Sequence, residues 1–347
     1  MSLLRDAALL STAVRSTLPG ARGPFKLTVA VTWVCDQRCT HCRIWQRPRT
    51  DELTPGEWRE VWRQSAATLR WIDLTGGEVT TRPDFAEIAI AAIEECPGLA
   101  MLHYPSNGRK PEILERVTRA ILGAKPARLV LSISLDGPRD VHDKLRGDKG
   151  AFDNAVESYR RIRALGVEVY FGMTLSAYNL ELLEPTYEAL KHEVPELTWR
   201  DLHANFLHVS EHYFQNQKVK RADPVALDAT IRRFMKQRGA PSHPTHALEH
   251  LYLRQVSEHL KTGRSPVPCA SLTGNAFINP TGTVYPCHIW DAPVANLRDH
   301  GLSLEEVWAT PEARKRRGEV KRDACPGCWT PCEAYPSLLA RPLASLG

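Results

Sequence analysis

Val31-Thr-Trp-Val-Cys35-Asp-Gln-Arg-Cys39-Thr-His-Cys42 follows directly on a short apolar run, residues 27–32, and decides how the rest of the chain is read. The run has the length and β-branched content of a buried strand, so the three cysteines fall in the loop that leaves it. Further strand-like runs follow at 71–74, 101–104, 129–135, 167–174 and 198–207, separated by helical patterns at 57–69, 84–95, 111–122, 151–165 and 180–191. Strands alternating with helices of this length specify βα units and a parallel sheet with right-handed crossovers. Six such units are too few for a closed eight-stranded barrel, so the expectation is an α/β fold built as a partial (β/α)6 TIM-like barrel. In parallel αβ folds the strand-to-helix loops lie at the C-terminal edge of the sheet, where ligands bind. Three thiolates within eight residues there can take three corners of an iron-sulfur cubane and leave one iron open to a chelating small molecule. Zinc is the alternative, although structural zinc takes four protein ligands.

Composition is compatible with this chemistry. The 347 residues are 43% hydrophobic and 24% charged, with a formal charge of +5. No run of eighteen apolar residues occurs, which excludes a membrane-spanning helix. The basic residues are dispersed, so nucleic acid is not an expected partner. Residues 1–20 make a poor signal peptide and read as a short amphipathic helix packed on the body. Nine cysteines in a chain expected to be cytoplasmic point to metal or redox chemistry and not to a disulfide framework. Eight of them fall in two groups, and Cys96, before Pro97, reads as a small buried residue.

The second group follows a change of pattern. Residues 223–260 read as helix broken at Gly239-Ala240-Pro241; a β-hairpin then spans Cys269 to Cys287 around Asn279-Pro-Thr-Gly282, a helix is expected over 304–316, and Cys325, Cys328 and Cys332 close the series. Expected domains are an N-terminal helical segment (1–24), the partial barrel (25–222), a helical connector (223–264) and a cluster-binding subdomain of hairpin plus helix (265–347).

The CxxxCxxC spacing resembles the signature of the radical S-adenosylmethionine (SAM) superfamily, and Gly76-Gly77-Glu78 after the second strand resembles its GGE motif. Ser106-Asn107-Gly108 and Ser132-Ile-Ser134-Leu-Asp136-Gly137, with His142-Asp143 and Arg146-Gly147, resemble further family segments. The tail resembles the SPASM and shorter twitch auxiliary-cluster domains. The resemblance implies that Cys35, Cys39 and Cys42 hold a catalytic [4Fe-4S] cluster and that His41 packs on the adenine of SAM. It also implies that Gly76, Gly77 and Glu78 meet the methionine moiety, Ser134 and Arg146 its carboxylate, Asn107 and Asp136 the ribose region, and Thr174 the adenosyl border. Cys269, Cys287, Cys325, Cys328 and Cys332 offer five thiols for one auxiliary [4Fe-4S] cluster; Cys332 is left over by the twitch pattern, although a set that uses it stays open. Zinc is the competing occupant there, because four cysteines with a CxxC suit it as well.

His203, Asn205 and Tyr213, on and after the sixth strand, are candidate substrate contacts. The implied activity is reductive cleavage of SAM to a 5′-deoxyadenosyl radical that takes a hydrogen from a small-molecule substrate, for oxidation or rearrangement in specialised biosynthesis. A ribosomal-peptide maturase and a lipid-modifying enzyme are the alternatives, and a non-catalytic metal-binding scaffold is the reading from another class. An external donor such as flavodoxin or ferredoxin is the expected electron source.

Overall fold

The computed structural model describes residues 2–18 and 20–342. Its centre is a single sheet. Six parallel strands, β1 (Lys26–Thr32), β2 (Trp71–Gly76), β3 (Met101–Ser106), β4 (Leu129–Ser134), β5 (Glu168–Leu175) and β6 (Leu202–Phe206), lie side by side in sequence order. On the free side of β1, β7 (Asn275–Ile278) pairs in parallel from Lys26↔Asn275 to Val29↔Ile278. Antiparallel β8 (Thr283–Tyr285) and β9 (Ala295–Asn296) follow. The hairpin expected in a separate subdomain therefore continues the barrel sheet, giving the order β6-β5-β4-β3-β2-β1-β7-β8-β9.

Helix α1 (Ser2–Arg15) precedes β1, and helices cover the outer face: α2 (Pro55–Ser65), α3 (Phe85–Glu95), α4 (Pro111–Gly123), α5 (Arg139–Arg146), α6 (Ala151–Ala164) and α7 (Leu183–Glu193). In α2, Thr54 and Glu57 form a reciprocal capping box and Pro55 takes the first turn, where its missing N–H costs nothing. One face buries Trp58, Val61 and Trp62, the two indoles stacked at 5.2 Å. Replacing either Trp by Ala should cost about 3–5 kcal/mol.

The two faces of β3 to β6 differ. Leu102, Tyr104, Leu131, Ile133, Phe171, Met173, Ala204 and Phe206 are buried beneath the helices. Their alternates His103, Pro105, Ser132, Ser134, Gly172, Thr174, His203 and Asn205 remain partly accessible. Parallel sheets are normally covered on both faces, so an accessible, polar inner face marks space kept for a ligand. His203 on β6 lies within electrostatic range of His103, three strands away, which requires the sheet to curl.

After β6 come α8 (Pro224–Arg238), α9 (Pro244–Arg254) and α10 (Val256–Thr262), with the expected break between the first two. The helix expected over 304–316 is two helices, α11 (Leu304–Ala309) and α12 (Pro311–Lys321). Pro311 cannot continue the first, and the Thr310 side chain caps the second by accepting from Ala313 N–H. The final helix α13 (Pro331–Ala340) packs against α9 and against α1. Cys96 is buried, with its thiol on the Trp62 carbonyl. No described helix is long and apolar enough to cross a membrane.

Candidate active site and iron-sulfur sites

Cys35, Cys39 and Cys42 stand in the loop after β1, and neighbouring backbone fixes that loop from two sides. Gly77 N–H donates to Thr32 O at 2.8 Å and Glu78 N–H to Val34 O at 2.9 Å. The approach is so close that a Cβ on Gly76, whose φ is +128°, would lie 2.2 Å from Thr32 O, and one on Gly77 2.1 Å from Val34 O. The paired glycines thus bring the β2 loop against the cysteine loop. From the other side Arg38 N–H reaches Arg146 O at 3.0 Å and Thr40 N–H reaches Leu145 O at 2.8 Å.

The three thiols lie within electrostatic range of one another. Burial pushes all three upward, Cys42 to about 12, while the Arg146 guanidinium opposes this at Cys39. Arg146 donates from Nη1 to Cys39 Sγ at 3.7 Å and pairs through Nη2 with Asp136 Oδ2 at 2.6 Å. His41 Nε2 lies 3.8 Å from the same carboxylate oxygen. Burial raises the Asp136 pKa, but Arg146 and His41 outweigh it and hold the carboxyl below its usual range. His41, Asp136 and Arg146, read as separate cofactor contacts, stand together beside Cys39, the buried Arg146–Asp136 ion pair with the His41 ring, whose pKa burial lowers, against it.

Glu78 is the hub between the β2 and β3 loops. Its Oε1 accepts from Thr80 N–H, Thr80 Oγ1 and Ser106 Oγ, and its Oε2 from Asn107 N–H at 2.6 Å. A carboxylate has about four lone-pair sites, so these four donors account for its accepting capacity and fix the two loops to each other. The Asn107 amide donates to Asp36 Oδ1 and accepts from Arg109 N–H. Ser134 and Thr174 stand on the inner face at the ends of β4 and β5, with Thr174 N–H on Asp136 Oδ1 at 3.0 Å.

In the C-terminal region the thiols divide. The Cys328 thiol interacts directly with Cys287 and lies in range of Cys269, and Cys325 lies in electrostatic range of Cys287. Cys332 faces the other way. Its thiol hydrogen-bonds Thr28, and its surroundings are Lys26, Glu333 and Asp73. With His288 and Glu333 it forms the one group of three ligand-type side chains, among the described residues, whose donor atoms meet within 4.8 Å.

That spacing tests what the cysteine groups can hold. Thiolates on one tetrahedral zinc, at 2.3 Å each, stand about 3.8 Å apart. Neither cysteine group gathers three sulfurs within 4.8 Å, the closeness that the ligands of a single zinc would show. Residues 29–190 match the model of the radical SAM superfamily, and residues 269–330 match that of the SPASM iron-sulfur cluster-binding domain. This chain is a radical SAM protein with a SPASM domain. It is 27% identical to the AdoMet-dependent heme synthase of Methanosarcina barkeri, the match covering 85% of this chain and 88% of that protein. It is 24% identical to the mycofactocin maturase MftC of Mycobacterium ulcerans, covering 89% and 81%. Among solved structures, native anSMEcpe with bound AdoMet has a TM-score of 0.61 at 13% identity, covering 84% of this chain and 83% of that one. SuiB of Streptococcus suis bound to S-adenosylmethionine also has 0.61, at 14% identity, covering 85% and 68%. These two share the TIM-like fold. The radical SAM protein is accordingly an enzyme with a [4Fe-4S] cluster and an auxiliary cluster. When bound, the first cluster and SAM supply the one-electron chemistry that generates a 5′-deoxyadenosyl radical.

Of the three candidate substrate contacts, His203 and Asn205 are on the accessible inner face. Tyr213 is elsewhere: 6% exposed, it packs among Trp33, Ile44 and Phe277, with its hydroxyl on Thr75 Oγ1 at 3.0 Å and Gly76 O at 3.3 Å. It braces the β2 loop. Sequence reasoning gave no role to Lys26, Asp73, His103 or Ser132. Lys26 is fully buried and pairs with Asp73 at 2.8 Å. Asp73 accepts from Trp71 Nε1 at 2.6 Å and faces His103 Nδ1 at 3.2 Å; His103 Nε2 meets Ser132 Oγ at 2.9 Å. The signal of Asp73, His103 and Ser132 was present as polar residues alternating with apolar ones in Trp71–Gly76, Met101–Ser106 and Leu129–Ser134.

Proposed function

We propose that the radical SAM enzyme takes a hydrogen atom from a neutral, polar small molecule held against the inner face of the barrel. One observation carries the reading: the accessible positions of β3 to β6 include His103, Ser132, Ser134, Thr174, His203 and Asn205, short hydrogen-bonding groups suited to hydroxyls and amides. Among the described residues Lys26, Arg146 and Arg238 are each paired with a carboxylate, Asp73, Asp136 and Glu249, so none of these three cations is free for an anionic substrate. His203 Nε2 is buried without a hydrogen-bond partner among the described residues, as a group awaiting a ligand would be.

In this reading Cys35, Cys39 and Cys42 hold the catalytic cluster, while Gly76, Gly77, Glu78, Asn107, Ser134 and Thr174 surround SAM. His41, Asp136 and Arg146 support the site beside Cys39. Cys269, Cys287, Cys325 and Cys328 hold the auxiliary cluster, and Cys332 is outside the set. The electron comes from a flavodoxin or ferredoxin of the cytoplasm.

A peptide substrate is the second reading. It is favoured by the mycofactocin maturase and by the PqqA peptide cyclase of Ruegeria pomeroyi, 24% identical over 82% of this chain and 74% of that protein. The test uses cells grown in deuterated medium, whose extract is divided into a low-mass and a peptide fraction. Each is supplied to reconstituted enzyme with unlabelled SAM. Deuterium in 5′-deoxyadenosine from the low-mass fraction alone supports the proposal; deuterium from the peptide fraction alone overturns it in favour of a maturase.

A further inference from the structure

We infer that Asp73, His103 and Ser132 form a proton-accepting site on the inner face of the barrel for a hydroxyl group of the substrate. The inference rests on the small-molecule reading above and names the chemical class that the site takes. Three adjacent strands place the residues. Asp73 on β2 is in register with His103 on β3, and Ser132 on β4 is in register with Pro105, two residues beyond the histidine. The separations are 3.2 Å from Asp73 Oδ1 to His103 Nδ1 and 2.9 Å from His103 Nε2 to Ser132 Oγ.

The charges fix the tautomer. Burial raises the Asp73 pKa, but Lys26 and His103 outweigh it and hold the carboxyl well below the usual range. An ionised Asp73 is an acceptor only, so His103 carries its proton on Nδ1 and leaves the Nε2 lone pair to the Ser132 hydroxyl. Lys26 sits behind Asp73, which fastens the base from below. His203 stands across the inner face, and Cys332 and Glu333 of α13 close the far side of Lys26.

The level in the barrel suits a substrate. His103 is three residues before Ser106, which contacts Glu78, and Ser132 is two before Ser134. At about 3.3 Å per residue the pair lies roughly 7–10 Å beneath the edge where SAM is held. His103 and Ser132 are both partly accessible there, whereas Asp73 and Lys26 are buried.

The same three residue types serve elsewhere as a nucleophilic triad, but this site lacks what acyl transfer needs. Ser132 is mid-strand, paired with Tyr170 of β5 and with Pro105 of β3, so no turn or helix N-terminus supplies the backbone donors of an oxyanion hole. The site can instead move a proton. The substrate O–H passes its proton to Ser132 Oγ while the Ser132 proton moves to His103 Nε2; Nδ1–H stays on Asp73. The substrate oxygen becomes anionic, the imidazole cationic, and no electron changes hands. A hydroxyl on a carbon that has lost a hydrogen atom is far more acidic than the parent alcohol, which is when the transfer becomes favourable.

The test has two arms. In the first, holoenzyme labelled with 15N-histidine and with its clusters oxidised is titrated with myo-inositol, a neutral polyol, and separately with succinate. The site predicts a His103 spectrum of the Nδ1–H tautomer whose Nε2 signal shifts with myo-inositol and not with succinate, and a shift lost in Ser132→Ala. An Nε2–H tautomer, or an equal response to succinate, overturns it. In the second, deuterium transfer from the low-mass fraction is followed in His103→Ala. At least a tenfold loss, restored in part by added imidazole, supports a proton acceptor; an unchanged rate, or a loss that imidazole leaves untouched while His103→Gln is fully active, overturns it. Transfer from the peptide fraction alone defeats the substrate reading and leaves the tautomer result standing, so the two failures are distinguishable.

Discussion

Arg146 and Asp136 form a buried ion pair at 2.6 Å directly beside Cys39, the guanidinium reaching on to Cys39 Sγ at 3.7 Å. Neither side chain is more than 9% exposed. Removing one member of such a pair strands the other charge, at about 3–5 kcal/mol. Asp136→Ala should lower the unfolding free energy by that amount in a denaturant titration, and Asp136→Ala with Arg146→Met should recover part of it. Equal losses in the single and double variants would mean that the pair is not coupled.

Gly77 gives the sharpest steric prediction. A methyl group there would lie 2.1 Å from Val34 O, a backbone atom that cannot rotate away. Gly77→Ala must therefore push the cysteine loop from the β2 loop. Misplacement of a catalytic group by about 1 Å can cost about a hundredfold in rate, and 5′-deoxyadenosine formation should fall at least that far. The variant should retain auxiliary-cluster iron.

Cys332 separates the two possible auxiliary sets. Its thiol is on Thr28, while Cys328 interacts with Cys287. Cys332→Ser should keep about eight irons per reconstituted chain, and Cys328→Ala should drop to about four. An iron loss in Cys332→Ser equal to that in Cys328→Ala would place Cys332 in the set.

Acid should destabilise the fold through buried imidazoles. Burial lowers His142 to about 4 and His212 to about 3, and His142 Nδ1 accepts from Asp136 N–H, which requires a neutral ring. Below the unfolded-state value of about 6.5, the unfolded chain takes up protons that these folded rings refuse. Stability is thus complete above about 6.5 and lost as pH falls toward 4, by about 1 kcal/mol per ring at pH 5.5. Unfolding midpoints between pH 7.5 and 5.5 should show the decline, and His142→Gln should flatten it.

The six barrel strands were legible because apolar runs of strand length alternate with amphipathic helices, and the cysteine loop was legible because its spacing is local. What escaped depends on contacts distant in sequence. The pairing of β7 with β1 joins Lys26 to Asn275, and no local pattern announces it. Helix α5, Arg-Asp-Val-His-Asp-Lys-Leu-Arg, carries almost no apolar pattern to announce a packed helix, yet His142, Leu145 and Arg146 are buried because Asp136 and the cysteine loop receive them. Asp73, His103 and Ser132 are single polar residues in three strands, and only the register between those strands makes them one site. The separation of Cys332 from its four neighbours follows from α13 turning its thiol toward Thr28.

The most direct measurement is of iron and of SAM cleavage in the chain carrying Cys35→Ala, Cys39→Ala and Cys42→Ala together. After anaerobic reconstitution it should hold about four irons in place of about eight and form no 5′-deoxyadenosine under reduction. Cleavage persisting in that variant would contradict the assignment of the catalytic centre to the loop after β1.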